Sequence, residues 1–177
     1  MNTLSYPIGP FEMPGIVSAE DIQAYIQEIA DLPANFKAAV AGLSNEQLDT
    51  PYRPEGWTVR QVVHHVPDSH MSGYKRFHWA LTEDKPTIKD YNEKAWAALS
   101  YQRQMPPEVS LGILESLHMR WVYLFRSLTE TDWQRTFVHP DPTYDGEYRL
   151  TDALAMYAWH GKHHLAHITS LKERMQW

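Results

Sequence analysis

The stretch Trp159-His160-Gly161-Lys162-His163-His164-Leu165-Ala166-His167 places four histidines within two turns of a helical pattern. Around it an apolar stripe passes through Leu150, Leu154, Tyr157, Gly161, Leu165 and Ile168, with Met175 beyond, at the threes and fours of an α-helix. The segment reads as one long amphipathic helix, capped at Thr151 and ending near Met175. Side chains four apart on a helix stand one above the other with Cβ atoms about 5–6 Å apart, so two imidazoles at that spacing reach one metal ion. His160/His164 and His163/His167 both qualify. At about 100° per residue, His164 falls inside the stripe, His160 on its near flank, and His163 towards water. The inward pair is therefore His160/His164, and a third ligand has to come from another element. Any single histidine on such a face is more commonly a hydrogen-bonded core or surface residue; an inward i, i+4 pair is what raises the metal reading.

Three further amphipathic segments precede this helix. Residues 1–17 carry Pro7, Pro10 and Pro14 without helical period and read as an extended surface arm in which Tyr6, Ile8 and Phe11 pack. Ser18 starts a first helix through Ile22, Ile26, Ile29, Phe36, Val40 and Leu43, kinked or broken at Pro33. Ser44 with Gln47 caps a short turn. In Trp57-Thr58-Val59-Arg60-Gln61-Val62 a second helix begins, with Thr58 as N-cap, Gln61 completing a capping box and Trp57 stapled onto Val62. It runs to about Leu81, is bent by Pro67, and carries His64, His65 and His70. Its periodicity turns His64 away from the stripe, puts His65 on the flank and His70 near the centre, which favours His70 as the inward residue, although the count across Pro67 is insecure.

Between residues 82 and 108 the pattern breaks, leaving a short amphipathic piece around Asp90 to Leu99. A third helix starts near Pro107 and runs through Ile113, Leu114, Leu117, Trp121, Leu124 and Leu128, with His118 on its flank. After a capped turn from Thr129 to Asp132, Thr136-Phe137-Val138 and Tyr148-Arg149-Leu150 around Asp145-Gly146 form either a small hairpin or a loop. Four long amphipathic segments without βαβ alternation predict an all-α four-helix bundle, and connections of about 20 residues leave room for crossovers. Neither an internal repeat nor a domain boundary interrupts residues 1–177, so one domain is expected.

Composition narrows the chemistry. The chain has 177 residues, 43% apolar and 21% charged, and its net charge of −6 disfavours nucleic-acid and anionic-membrane partners. No Lys or Arg precedes Lys37 and no apolar run of about 18 residues occurs, so a cytoplasmic location without membrane insertion is expected. With no cysteine, thiolate ligands and nucleophiles are excluded, and ten histidines supply the available transition-metal donors. A helix from the second segment packed on the last one brings a third imidazole to His160/His164. Three neutral imidazoles leave a tetrahedral ion one open position, where bound water has its pKa lowered to about 7. The zincin motif is absent, because Gly161 occupies the position of its glutamate base.

Leu4-Ser5-Tyr6-Pro7-Ile8-Gly9, residues 47–52, Gly56 through His65, Asp68-Ser69-His70-Met71 and Tyr157 through Leu171 together resemble the YfiT-type metal-dependent hydrolases of the DinB-like superfamily, over essentially the whole chain. The resemblance implies an up-down-down-up bundle, often a homodimer, with one zinc or nickel ion held by His65, His160 and His164. It thereby selects His65 over His70. Pro67 stands where that family is expected to carry alanine, and His70, Asp68 and His118 also match its pattern, with a role in orienting a ligand imidazole open to them. Relatives hydrolyse substrates or transfer a low-molecular-weight thiol such as bacillithiol to an electrophile, so a small-molecule substrate is implied. Hydrolysis is the leading expectation and metal-dependent S-transfer the second; for the latter, this cysteine-free chain needs its sulfur from a co-substrate. A non-catalytic ion pinning two helices is a third reading, and a protein-interaction role for the seven tryptophans a weaker fourth.

Overall fold

A computed structural model describes residues 4–141 and 146–177. Helix α1 (Ala19–Val40) opens on Ser18, whose side chain and that of Asp21 form a reciprocal capping box. It runs as one helix through Pro33, where the sequence expectation is a kink or a break, and it does not break, because Ile29, Leu32, Phe36 and Val40 are buried on both sides of the proline and packing outweighs the lost hydrogen bond. Short α2 (Asn45–Leu48) carries the Ser44/Gln47 box. Helix α3 (Val59–Thr82) carries the Thr58/Gln61 box and is likewise continuous across Pro67, which is buried. The next connection holds α4 (Glu93–Ala97) and a 3-10 turn at Ser100–Arg103. Helix α5 (Pro107–Ser127) starts on the expected proline.

Helix α6 (Glu130–Trp133) follows the Thr129 cap. Strands β1 (Thr136–Val138) and β2 (Glu147–Arg149) pair antiparallel with Phe137 opposite Tyr148, so this region is a hairpin; Asp145 of the predicted turn lies outside the described residues. Helix α7 (Leu150–Met175) begins one residue before its expected cap. Arg149 is the N-cap, bound to Asp152, and Thr151 is buried inside the first turn: the strand delivers the chain straight into the helix and leaves no room for a free capping residue.

The four long helices are α1, α3, α5 and α7, with α1 and α3 each packed against both α5 and α7. Lys162 meets Glu28 and Lys172 reaches the Ala39 carbonyl, so α7 runs parallel to α1. His64 meets Ser110, His70 meets His118 and Phe77 meets Phe125, so α5 runs parallel to α3. Gly73 abuts Tyr157 while His65 abuts His164, so α3 opposes α7. The order is up-down-down-up, made possible by the long α3–α5 connection. Among the described residues no helix is long and apolar enough to cross a membrane.

Two apolar cores occupy the two ends of the bundle. One gathers Ile29, Phe77, Trp121, Phe125, Leu154 and Tyr157; the other gathers Leu32, Phe36, Val62, Val66, Leu114 and Ile168. Between the two, His65 and His70 of α3, His118 of α5 and His160 and His164 of α7 meet one another, and His118 reaches the backbone of α1 at Ile29. A polar layer thus crosses the bundle at mid-height, an arrangement that costs stability unless each buried nitrogen finds a partner.

Candidate metal centre

Three imidazoles converge in this layer. One ring nitrogen from each of His65, His160 and His164 lies within 4.8 Å of the others. His160 and His164 project from adjacent turns of α7 with ring centroids 4.5 Å apart, and His65 comes across from α3, at 5.3 Å from His160 and 4.7 Å from His164. Nε2 of His65 and Nε2 of His160 stand 3.3 Å apart. Two nitrogens each about 2.0–2.1 Å from one ion with tetrahedral angles are separated by about 3.3 Å, so this pair already spans one edge of such a coordination shell. Burial holds the pKa of His65 down to about 4 and pushes those of His160 and His164 well below the ordinary value, which keeps all three rings in the neutral form that ligates. No carboxylate belongs to the group among the described residues. The donor set therefore fits a borderline divalent cation such as zinc or nickel.

Trp57 does more than staple the start of α3: its ring packs at 4.6 Å on His65 and at 6.1 Å, nearly parallel, over His164. All three histidines line a cavity of about 1030 Å³ whose wall also contains Ser69, Arg76, Asp90, Tyr91 and Tyr157. Arg76 donates to the Tyr157 hydroxyl at 3.2 Å and to Asp90 at 3.4 Å. Burial pushes the Tyr91 phenol well above its usual range, so at neutral pH it stays protonated.

Of the other histidines, His70 follows the helical count and His64, His118 and His163 depart from it. His70, the inward residue by periodicity, is fully buried but lies behind the three-histidine group: its Nε2 is 3.1 Å from Nδ1 of His160 and its Nδ1 is 2.8 Å from Nε2 of His118. His118, expected on a flank of α5, is buried, with Nδ1 2.6 Å from the Ile29 carbonyl. His64, expected to face away, is buried with Nδ1 2.7 Å from the Ser110 hydroxyl, because α3 is enclosed by α5 on one side and α7 on the other. His163, expected towards water, is also buried. The N-terminal arm lies across this side of α7, with Tyr6 5.7 Å from His163, Phe11 5.7 Å from Trp159, and the Ser5 carbonyl accepting from His167 at 3.2 Å. Ile8 and Met175, read as packing residues, are about half exposed.

Burial holds the His118 pKa down to about 4, only partly opposed by its bond to the Ile29 carbonyl. The unfolded chain, with a histidine pKa near 6.5, binds the proton that the folded chain refuses. His118 therefore contributes stability that is present above about pH 6.5 and is lost as pH falls from there through about 4, at up to ~1.4 kcal/mol per pH unit. Urea unfolding of chelator-treated protein should show stability falling from pH 7.5 to pH 5. His118→Leu should have a shallower slope by about that amount; an unchanged slope would show that His118 is not buried neutral.

Both the sequence and the fold have counterparts among known proteins. A family model for the DinB superfamily matches residues 28–168. A protein of Bacillus mycoides is 54% identical over 177 residues, 100% of both chains, and one of Bacillus cereus is 55% identical over the same span; the names of both propose a metal-dependent hydrolase. YfiT from Bacillus subtilis, described as a proposed metal-dependent hydrolase with an unusual four-helix bundle topology, superposes with a TM-score of 0.96 at 47% identity, covering 99% of each chain. A mycothiol-dependent maleylpyruvate isomerase shares the fold at 17% identity and a TM-score of 0.59, over 80% of this chain and 60% of its own. With a superfamily model spanning most of its length and full-length relatives above half identity, the chain belongs to the DinB superfamily.

Proposed function

We propose that this protein is a metal-dependent hydrolase in which His65, His160 and His164 hold one zinc or nickel ion at the wall of the cavity. The observation that carries this reading is the coincidence of three neutral, converging imidazoles with a large cavity and with no further histidine or carboxylate in the group among the described residues. A structural ion is normally closed off by four protein ligands, whereas three ligands facing a cavity leave a position for water or substrate. When bound, the ion supplies a lowered pKa for water and a charge that polarises a carbonyl or phosphoryl oxygen. The chain supplies the remainder. Trp57 screens one side of the imidazoles from solvent. Arg76, held by Tyr157 and Asp90, keeps a fixed positive charge in the cavity wall, and Tyr91 offers a protonated hydroxyl that can donate a hydrogen bond to substrate.

Zinc- and nickel-loaded protein, each with a chelated control, should be assayed against p-nitrophenyl acetate, and against monochlorobimane with and without added thiol. Thiol-independent turnover of the ester that disappears on chelation and in His164→Ala is expected. Turnover of the bimane alone, and only with thiol, would replace hydrolysis by thiol transfer. Unfolding on metal removal with no turnover of either probe would make the ion structural.

A further inference from the structure

His70 and His118 touch neither the cavity nor the other two candidate ligands, yet they join His160 to the backbone of α1 in one line of close contacts. The direction of every hydrogen bond in that line follows from its far end. The Ile29 carbonyl oxygen has no proton to give, so His118 must carry a proton on Nδ1 and donate it at 2.6 Å. A neutral imidazole protonated on Nδ1 has its lone pair on Nε2, and His70 Nδ1–H therefore donates to His118 Nε2 at 2.8 Å. That leaves the lone pair of His70 on Nε2, which accepts from His160 Nδ1–H at 3.1 Å. The remaining lone pair of His160 is then on Nε2, the nitrogen that stands 3.3 Å from Nε2 of His65.

A doubly protonated ring anywhere in the line would set N–H against N–H. None of the three rings has an ion-pair partner among the described residues, and His70 is enclosed by the edges and faces of Trp121 and Tyr157 at 5.7 and 5.4 Å, so a charge there would be uncompensated. The geometry points to His70 and His118 as positioning residues: they hold His160 as the Nδ1–H tautomer and so present its Nε2 lone pair to a divalent cation, with the Ile29 carbonyl as the fixed end of the relay. This rests on the reading that His160 is a ligand.

One consequence is architectural. The line passes from α1 at Ile29 through α5 at His118 and α3 at His70 to α7 at His160, so every long helix of the bundle bears on the site although only α3 and α7 contribute candidate ligands. Replacing His118 with an aliphatic residue strands His70 Nδ1–H without an acceptor, and the His70 ring and then the His160 ring lose what selects their tautomer. A partner bonded directly to a ligating imidazole, the position of His70, typically alters metal affinity about 10–100-fold, and His118, one bond further out, acts at the lower end of that range.

The test combines spectroscopy and affinity on the full-length protein. Two-bond proton–nitrogen NMR spectra of the zinc-loaded, 15N-labelled chain should show His70, His118 and His160 all protonated on Nδ1. Zinc competition against a chromophoric chelator should give His118→Leu an affinity about 10-fold below wild type. His118→Gln should recover much of the loss, because its amide nitrogen can donate to the Ile29 carbonyl while its amide oxygen accepts from His70. An Nε2–H tautomer at His70 or His160 overturns the relay, as does wild-type zinc affinity in His118→Leu shown folded by circular dichroism. Should His118→Leu fail to fold, the wild-type tautomers decide alone. Failure of the underlying ligand reading looks different: wild type and His160→Ala would bind zinc equally, and the relay falls with it.

Discussion

His160→Ala, expressed and dialysed beside wild type, is expected to retain less than a tenth of the wild-type metal, measured by elemental analysis. The reason lies in the geometry of the group. His160 is the hub of the set: its Nε2 faces His65 at 3.3 Å and its ring neighbours His164 at 4.5 Å. Removing it leaves two imidazoles with no carboxylate in the group among the described residues and no cysteine in the chain to replace the third, and two neutral nitrogens compete poorly with water for a divalent ion. The loss should exceed the about 10–100-fold typical of removing a partner behind a ligand. His65→Ala should behave alike. His163→Ala is the control: that ring stacks on Trp159 at 4.5 Å outside the group, and the variant should keep its metal. Full occupancy in His160→Ala or His65→Ala would remove the basis for the site.

Gly73→Ala should lower stability by about 2 kcal/mol, a fall in Tm of roughly 4–8 °C for a chain of this size, read by scanning calorimetry. On an exposed helix the same change would stabilise by up to about 1 kcal/mol. Here a Cβ on Gly73 would lie 2.3 Å from Cζ of Tyr157 and within 2.7 Å of two further ring atoms. That ring cannot retreat: Trp121 is 5.1 Å away, His70 is 5.4 Å away, and the hydroxyl is tied to Arg76. Gly161→Ala makes an equally short contact, 2.3 Å, but with Cδ2 of Leu32, the end of a flexible side chain that can rotate. Its cost should be clearly smaller. A Gly73→Ala protein more stable than wild type would mean that α3 and α7 can separate there, and with them the polar layer next to His160.

Both glycines show how far a linear reading reaches. Gly161 stood in the apolar stripe of its helix and was legible as an inward position; Gly73 lay in no pattern, because close approach between two helices leaves no period in either one. Caps and stops behaved similarly. Ser44 and Thr58 each announced a helix start through a glutamine three residues on, and Ser18 announced one by its residue type alone; the structure has reciprocal boxes at all three, with Asp21 as the partner of Ser18. Thr151 had the right chemistry in the wrong place, since β2 runs directly into α7 and only the pairing of two strands makes that junction.

The histidines divide along the same line. A spacing of four on one helix was enough to pick out His160 and His164, because both ends of the relation lie in one element and local geometry settles it. The family resemblance then put His65 beside them, and the structure brings the three within reach of one ion. Helical periodicity misplaced His64, His118 and His163 because it assigns each residue a single inside. In a bundle whose helices each touch two others, and with an arm laid across α7, most of a helix circumference is inside. The sequence by itself determined which segments are helices, where most begin, and which histidine pair shares a face, since those follow from contacts within about one turn. Only the tertiary structure decided that His70 lies behind His160 and not beside His65, because that depends on how four separate helices meet at one height, and no residue's local neighbours carry that information.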